Sequence, residues 1–152
     1  MTSVMLAAAL AAAAPARAQE PPALVSYVLG PVSAGAAGRR RTVKAGDALA
    51  DGDTVSAGPG AAAVVTLPDG SKLKLRERTS LTLRLHPDAR GLTGVFLSLG
   101  GVFASVAHGS SPHFAVVTPH AVAAVRGTEF FTSYGRGRDL WVCVGRGTVE
   151  LS

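Results

Sequence analysis

The chain has 152 residues, 47% of them hydrophobic and 16% charged, with a formal net charge of +5. That length and balance suit one globular domain with its own core and exclude an intrinsically disordered chain. Eighteen glycines against 5% aromatic residues exclude a long-helix bundle and point instead to short strands, packed on small aliphatic side chains and joined by tight turns.

The first segment stands apart from the rest. An apolar run from Val4 to Ala14 is too short to span a bilayer, which takes about 20 helical residues. It ends in Ala16-Arg17-Ala18, with small residues where a signal peptidase accepts them. The pattern predicts a secretory signal over residues 1–18 and one mature β domain over residues 19–152, placed in the periplasm or outside the cell.

Pro21-Pro22 form a stiff spacer, and Ala23 to Leu29 reads as a first strand that stops at Gly30-Pro31. Val32 to Ala34 resumes it, and Gly35 to Gly38 with the following arginines reads as a flexible hairpin tip. Asp51-Gly52 and Asp69-Gly70 each place glycine where a tight hairpin needs positive φ, beside an aspartate that can bond its own backbone. The second joins Ala63 to Leu67 with Ser71 to Leu75, where Leu73 and Leu75 face one way and Lys72, Lys74 and Arg76 the other. That alternation predicts a half-buried antiparallel strand, and Leu81, Leu83 and Leu85 repeat it.

Leu92 to Ala107 reads as two strands about Gly100-Gly101, a bulge or corner where the chain changes sheets. Phe114 to Val117 follows, and then two apolar runs, Ala121 to Val125 and Phe130-Phe131, flank Arg126-Gly127-Thr128-Glu129. Asp139 to Leu151 reads as a last strand pair about Gly145-Arg146-Gly147. A strand, then glycine, then valine recurs at Gly30, Gly100-Gly101 and Gly147, as expected where a strand turns a corner and continues. The expected class is all-β, with short antiparallel strands forming a roll, sandwich or solenoid-like domain.

Chemistry is sparse. Cys143, the single cysteine, alternates with Trp141 on a strand and reads as a buried, inert thiol. His86, His108, His113 and His120 lack the spacing of metal ligands, and Ser110-Ser111 lack the strained elbow of a nucleophile. These residues predict no enzyme, no metal and no cofactor. Arg39, Arg40, Arg41 and Lys44 are the densest basic run, but no aromatics interleave them, which argues against nucleic acid. Arg136-Gly137-Arg138 reads as a solvated basic turn.

Taken together, several pieces carry a resemblance. Val43-Lys44-Ala45-Gly46-Asp47, Gly52-Asp53-Thr54-Val55, Pro68-Asp69-Gly70-Ser71 with its alternating leucines, Leu99-Gly100-Gly101-Val102, and Thr118-Pro119 before Val125-Arg126-Gly127-Thr128-Glu129-Phe130 occur in an order that resembles the FecR domain family. The likeness runs from about Val25 to Leu151 and implies an extracytoplasmic β-rich domain. In the namesake iron-uptake regulators such a domain hears an outer-membrane receptor and passes the signal inward to a sigma factor. Those regulators also carry a cytoplasmic anti-sigma segment and a transmembrane helix ahead of the domain, where this sequence has the signal-like run, and they continue into a further module.

The resemblance therefore implies a free-standing periplasmic sensing or protein-interaction module, with an envelope protein such as an outer-membrane receptor domain as its partner and the membrane met only during export. The alternative is an envelope binder of glycan or another anionic surface polymer through Arg39 to Lys44. Within the motif, Arg126, Gly127, Thr128, Glu129 and Phe130 read first as structural, with glycine permitting a bulge. Gly52, Gly70, Gly100 and Gly101 read as turn glycines.

Overall fold

The computed structural model describes residues 22–36, 38–107 and 113–152. The signal segment and His108, Ser110 and Ser111 lie outside the described residues, as does the side chain of His113. Among the described residues the structure is all strand and connection, and no helix is long and apolar enough to cross a membrane.

Twelve strands follow in order: β1 Ala23–Leu29, β2 Val32–Ala36, β3 Arg39–Thr42, β4 Ala48–Leu49, β5 Thr54–Ala57, β6 Ala62–Thr66, β7 Lys72–Leu75, β8 Thr79–Arg84, β9 Leu92–Ser105, β10 His113–Val117, β11 Val122–Tyr134 and β12 Leu140–Leu151. They form one curled sheet whose main path runs β3-β2-β5-β8-β9-β7-β6-β1-β4, with β10, β11 and β12 joined on beside β9.

Strand β9 is the branch point. Its first half pairs with β8, from Arg84↔Gly94 to Ser80↔Leu99, and its second half pairs with β7, from Leu75↔Val102 to Lys72↔Ser105. On its other side it meets β10 from Leu92 to Phe96 and β11 from Gly100 to Ser105. Strand β11 makes the complementary switch, pairing with β10 up to Val125 and with β9 from Glu129 onward. The sheet thus folds over along these long strands, and its two halves enclose a single core.

Glycine is required at the fold-over. Gly100 has φ +95°, and a Cβ there would lie 2.3 Å from Thr79 Oγ1 and 2.5 Å from Thr79 Cα, so no other residue fits without backbone movement. Thr79 Oγ1 sits 3.1 Å from both the carbonyl oxygen and the amide nitrogen of Gly101, clasping the corner to the start of β8.

The leucine alternations come out as predicted. Leu73, Leu75, Leu81 and Leu83 are fully buried, while Lys72, Lys74 and Arg84 face outward. Each such leucine contributes about 1.5–3 kcal/mol of burial. The Asp69-Gly70 hairpin is also present: Gly70 N donates to Leu67 O at 3.0 Å, and the Asp69 carboxylate accepts from the amide and hydroxyl of Ser71 at 2.8 and 2.9 Å. In the β8–β9 loop, Asp88 accepts from the amides of Leu92 and Arg90, at 3.0 and 2.8 Å, and these bonds hold its carboxyl below the usual aspartate range.

Five expectations need correction. Leu92 to Ser105, Val122 to Tyr134 and Leu140 to Leu151 are each one continuous strand, because their glycines bend or bulge the strand instead of ending it. Arg39 to Arg41 belong to edge strand β3, paired with β2, and not to a hairpin tip. The Asp51-Gly52 turn joins strands that do not pair with each other, since β4 pairs with β1 while β5 pairs with β2 and β8. The pairing is not wholly antiparallel, for β10 runs parallel to β9. Cys143 is exposed, because β12 lies at the sheet's rim and, among the described residues, pairs with β11 alone.

Candidate functional site

The Arg126–Phe130 motif sits at the point where β11 changes partners. Gly127 has φ +51°, and the β11–β12 register shifts between Arg126 and Glu129, so the extra residue forms a bulge. Thr128 is buried, and its hydroxyl donates to Arg126 O at 2.7 Å and also faces Thr148 O at 3.3 Å. Phe130 is fully buried in the core, whereas Arg126 and Glu129 lie on the surface. Opposite, Gly147 has φ +101°, and a Cβ there would lie 2.7 Å from Thr128 Oγ1. Thr128 thus fills the space that the missing side chain leaves, and the two strands bend together.

The basic run is only partly available to a ligand. Arg39, Arg40 and Arg41 line the outermost strand of one end of the sheet, all exposed. Arg41 pairs with Asp47 at 3.5 Å and donates to Ala48 O at 2.8 Å, while Asp47 also accepts from the Lys44 amide at 3.0 Å. Charged residues on an edge strand also discourage edge-to-edge pairing.

Two surfaces went unrecognised in the sequence. The first is the rim strand β12. Its whole length pairs with β11 on one side, and it carries Trp141 at 72% exposure, Leu151 at 58% and Val144 at 42%, beside exposed Cys143. Only the topology reveals this, since the same residues in a central strand would be core.

The second is an open cleft of about 870 Å³ at the Gly100-Gly101 corner, rimmed by the β7–β8 turn and the β11–β12 turn. Arg76, Arg78 and Arg136 line it, with Ser133 and Phe131 between them. The Arg76 guanidinium lies 5.8 Å from the centre of the Phe131 ring, a cation–π contact. Arg78 holds φ +52°, a left-handed conformation that side chains other than glycine rarely adopt. No short-range sequence signal links residues 76–78 with residue 136.

Among the described residues no three His, Cys, Asp or Glu side chains gather as a metal site requires. His120 packs its ring 6.0 Å from that of Tyr134.

Comparison with known proteins closes the description. A search of curated proteins returns no match. Two crystal structures of a candidate anti-sigma factor from Parabacteroides distasonis share the fold, with 27% identity and a TM-score of 0.57, covering 64% of this chain and 46% of that one. The chain thus spans about half the length of that protein. Residues 53–150, from the β4–β5 turn to near the end of β12, match the family model described as FecR protein, and on that match the chain belongs to the FecR family.

Proposed function

We propose that the chain is a non-enzymatic sensing and protein-interaction module of envelope signalling, exported to the periplasm and acting on another envelope protein such as an outer-membrane receptor domain. Membership of the FecR family and the likeness to a candidate anti-sigma factor support a signalling role. Control of iron uptake is the process this reading favours.

The observation that carries it is the rim strand β12. A twelve-residue strand with one neighbour among the described residues leaves a row of backbone donors and acceptors open, and exposed Trp141, Val144 and Leu151 supply apolar anchors beside them. Partners recognise such an edge by adding a strand, with main-chain bonds giving affinity and side-chain contacts giving selectivity. A large exposed tryptophan is a frequent energetic centre of such an interface.

The test pairs Trp141→Ser with Val144→Lys. Both sites are surface positions, so stability should stay within about 0.5 kcal/mol of the unaltered protein. In envelope fractions of iron-starved cells, the unaltered protein should retain the periplasmic domain of an outer-membrane receptor, and the double variant should lose it. Equal retention by both, or none by either, would sink the reading. Export is checked separately: the mature protein should have the intact mass of a chain beginning at Gln19.

A further inference from the structure

We propose that the cleft at the Gly100-Gly101 corner binds an acidic oligosaccharide, with Arg76, Arg78 and Arg136 taking its carboxylates. This site is distinct from the β12 edge and does not depend on the signalling reading.

Charge is the first support. The cleft gathers three guanidiniums from two turns that the chain brings together only on folding. The Arg41–Asp47 ion pair lies elsewhere, at the β3 edge. Among the described residues Glu77 is the only carboxylate in the lining, and it accepts the Gly60 amide at 2.7 Å. Guanidinium presents a planar fork that matches carboxylate, and the exposed side chains of Arg76, Arg78 and Arg136 leave those forks open to a ligand.

The walls add a second support. Ser133 offers a hydroxyl, Ser56 and Ser80, bonded to each other at 3.3 Å, keep further hydrogen-bonding capacity, and the half-buried Phe131 ring offers an aromatic surface beside Arg76. Hydroxyls suit the hydroxyls of a sugar, and a ring face suits its apolar C–H face.

The third support is what the cleft withholds. Its backbone is already committed: Arg76 N donates to Gly101 O at 3.0 Å, Arg78 N to Gly58 O at 3.2 Å, and Gly101 N to Thr79 Oγ1 at 3.1 Å. A peptide that binds by strand addition needs an open edge, and these three amides already have partners. That distinction favours a polyhydroxylated acid over an acidic peptide.

Backbone strain is the fourth. The two described non-glycine residues with positive φ are Arg78 and Arg138, at +52° and +67°, and both lie in the turns that rim the cleft. Strain of this kind costs about 1–3 kcal/mol, and it concentrates where a side chain is held in position for binding.

Calorimetric titration of the full chain with trigalacturonate, maltotriose and hexaglutamate tests the proposal. Trigalacturonate should bind saturably, and Arg76→Ser and Arg136→Ser should each weaken it about tenfold, as expected for loss of one charge-assisted contact. Arg136 lies in a turn, so its variant remains informative if loss of the Arg76–Phe131 contact unsettles the fold. Arg39→Ser, on edge strand β3 and outside the cleft lining, should bind as the unaltered protein does. The proposal is overturned if trigalacturonate fails to bind, if the cleft variants bind it unchanged, if maltotriose binds equally well, or if hexaglutamate binds more tightly.

Discussion

Thr132 shows how a single side chain can be at odds with its surroundings. It lies on β11 between Val102 of β9 and Val142 of β12, fully buried, and its hydroxyl has no hydrogen-bond partner among the described residues. A buried hydroxyl without a partner costs about 1–3 kcal/mol in lost hydration. Valine has nearly the same shape and no polar atom, so Thr132→Val should raise the melting temperature by several degrees, a shift readable in a thermal melt followed by circular dichroism. A lowered melting temperature would mean that the hydroxyl holds a bond the native protein needs. Gly127 is the opposite case, a residue matched to its place. At φ +51° a valine meets its own carbonyl, and the strain should cost about 1–3 kcal/mol. Gly127→Val should therefore melt early while the fraction still folded binds its partner normally; an unchanged melting temperature with lost binding would instead make the motif a contact site.

At the scale of the element, the strands with strict alternation were legible in the sequence. Lys72–Leu75 and Thr79–Arg84 declare their buried face through leucines two residues apart, and Pro68-Asp69-Gly70 declares the hairpin before them. The long strands were not, for a physical reason. Positive φ serves a reversing turn and a strand corner equally well, so Gly100 and Gly147 look the same in sequence whether the chain turns back or goes on. What separates the two is the partner across the sheet: Thr79 against Gly100, and Thr128 against Gly147. Cys143 was misread for a related reason. Alternation on β12 reports that one side of the strand is apolar, but whether that side meets a neighbouring layer depends on the strand's position in the sheet, and β12 is at the rim. The cleft was hidden more completely, since Arg76 and Arg136 are neighbours only because β9 lies between β7 and β11.

For the molecule as a whole, what matters is how often the chain crosses between the two halves of its sheet. One half holds β3, β2, β5, β8 and β10 with the first part of β9; the other holds β4, β1, β6 and β7 with its second part. Strand β1 leads into the opposite half at Gly30-Pro31, β3 into β4 crosses back and β4 into β5 returns. The connections β5 into β6, β7 into β8 and β9 into β10 each cross again, and β9 and β11 each cross within a single strand. No contiguous segment therefore contains a complete half, and neither half has a core without the other, because one cluster from Ala23 to Tyr134 is shared by both. Apart from the exposed edge strands β3 and β12, such a chain has no part that can unfold alone at low cost, which makes all-or-none unfolding of the core the expected behaviour. Its strand pairs also join residues far apart in sequence, β1 with β6 and β8 with β5, so folding should be slow, on the order of milliseconds to seconds. In a urea titration, far-ultraviolet circular dichroism and amide exchange at Leu81 in one half and Leu73 in the other should give one midpoint and one slope. Two separated midpoints would show that the halves are stable apart, and that the long strands couple them less tightly than their shared core requires.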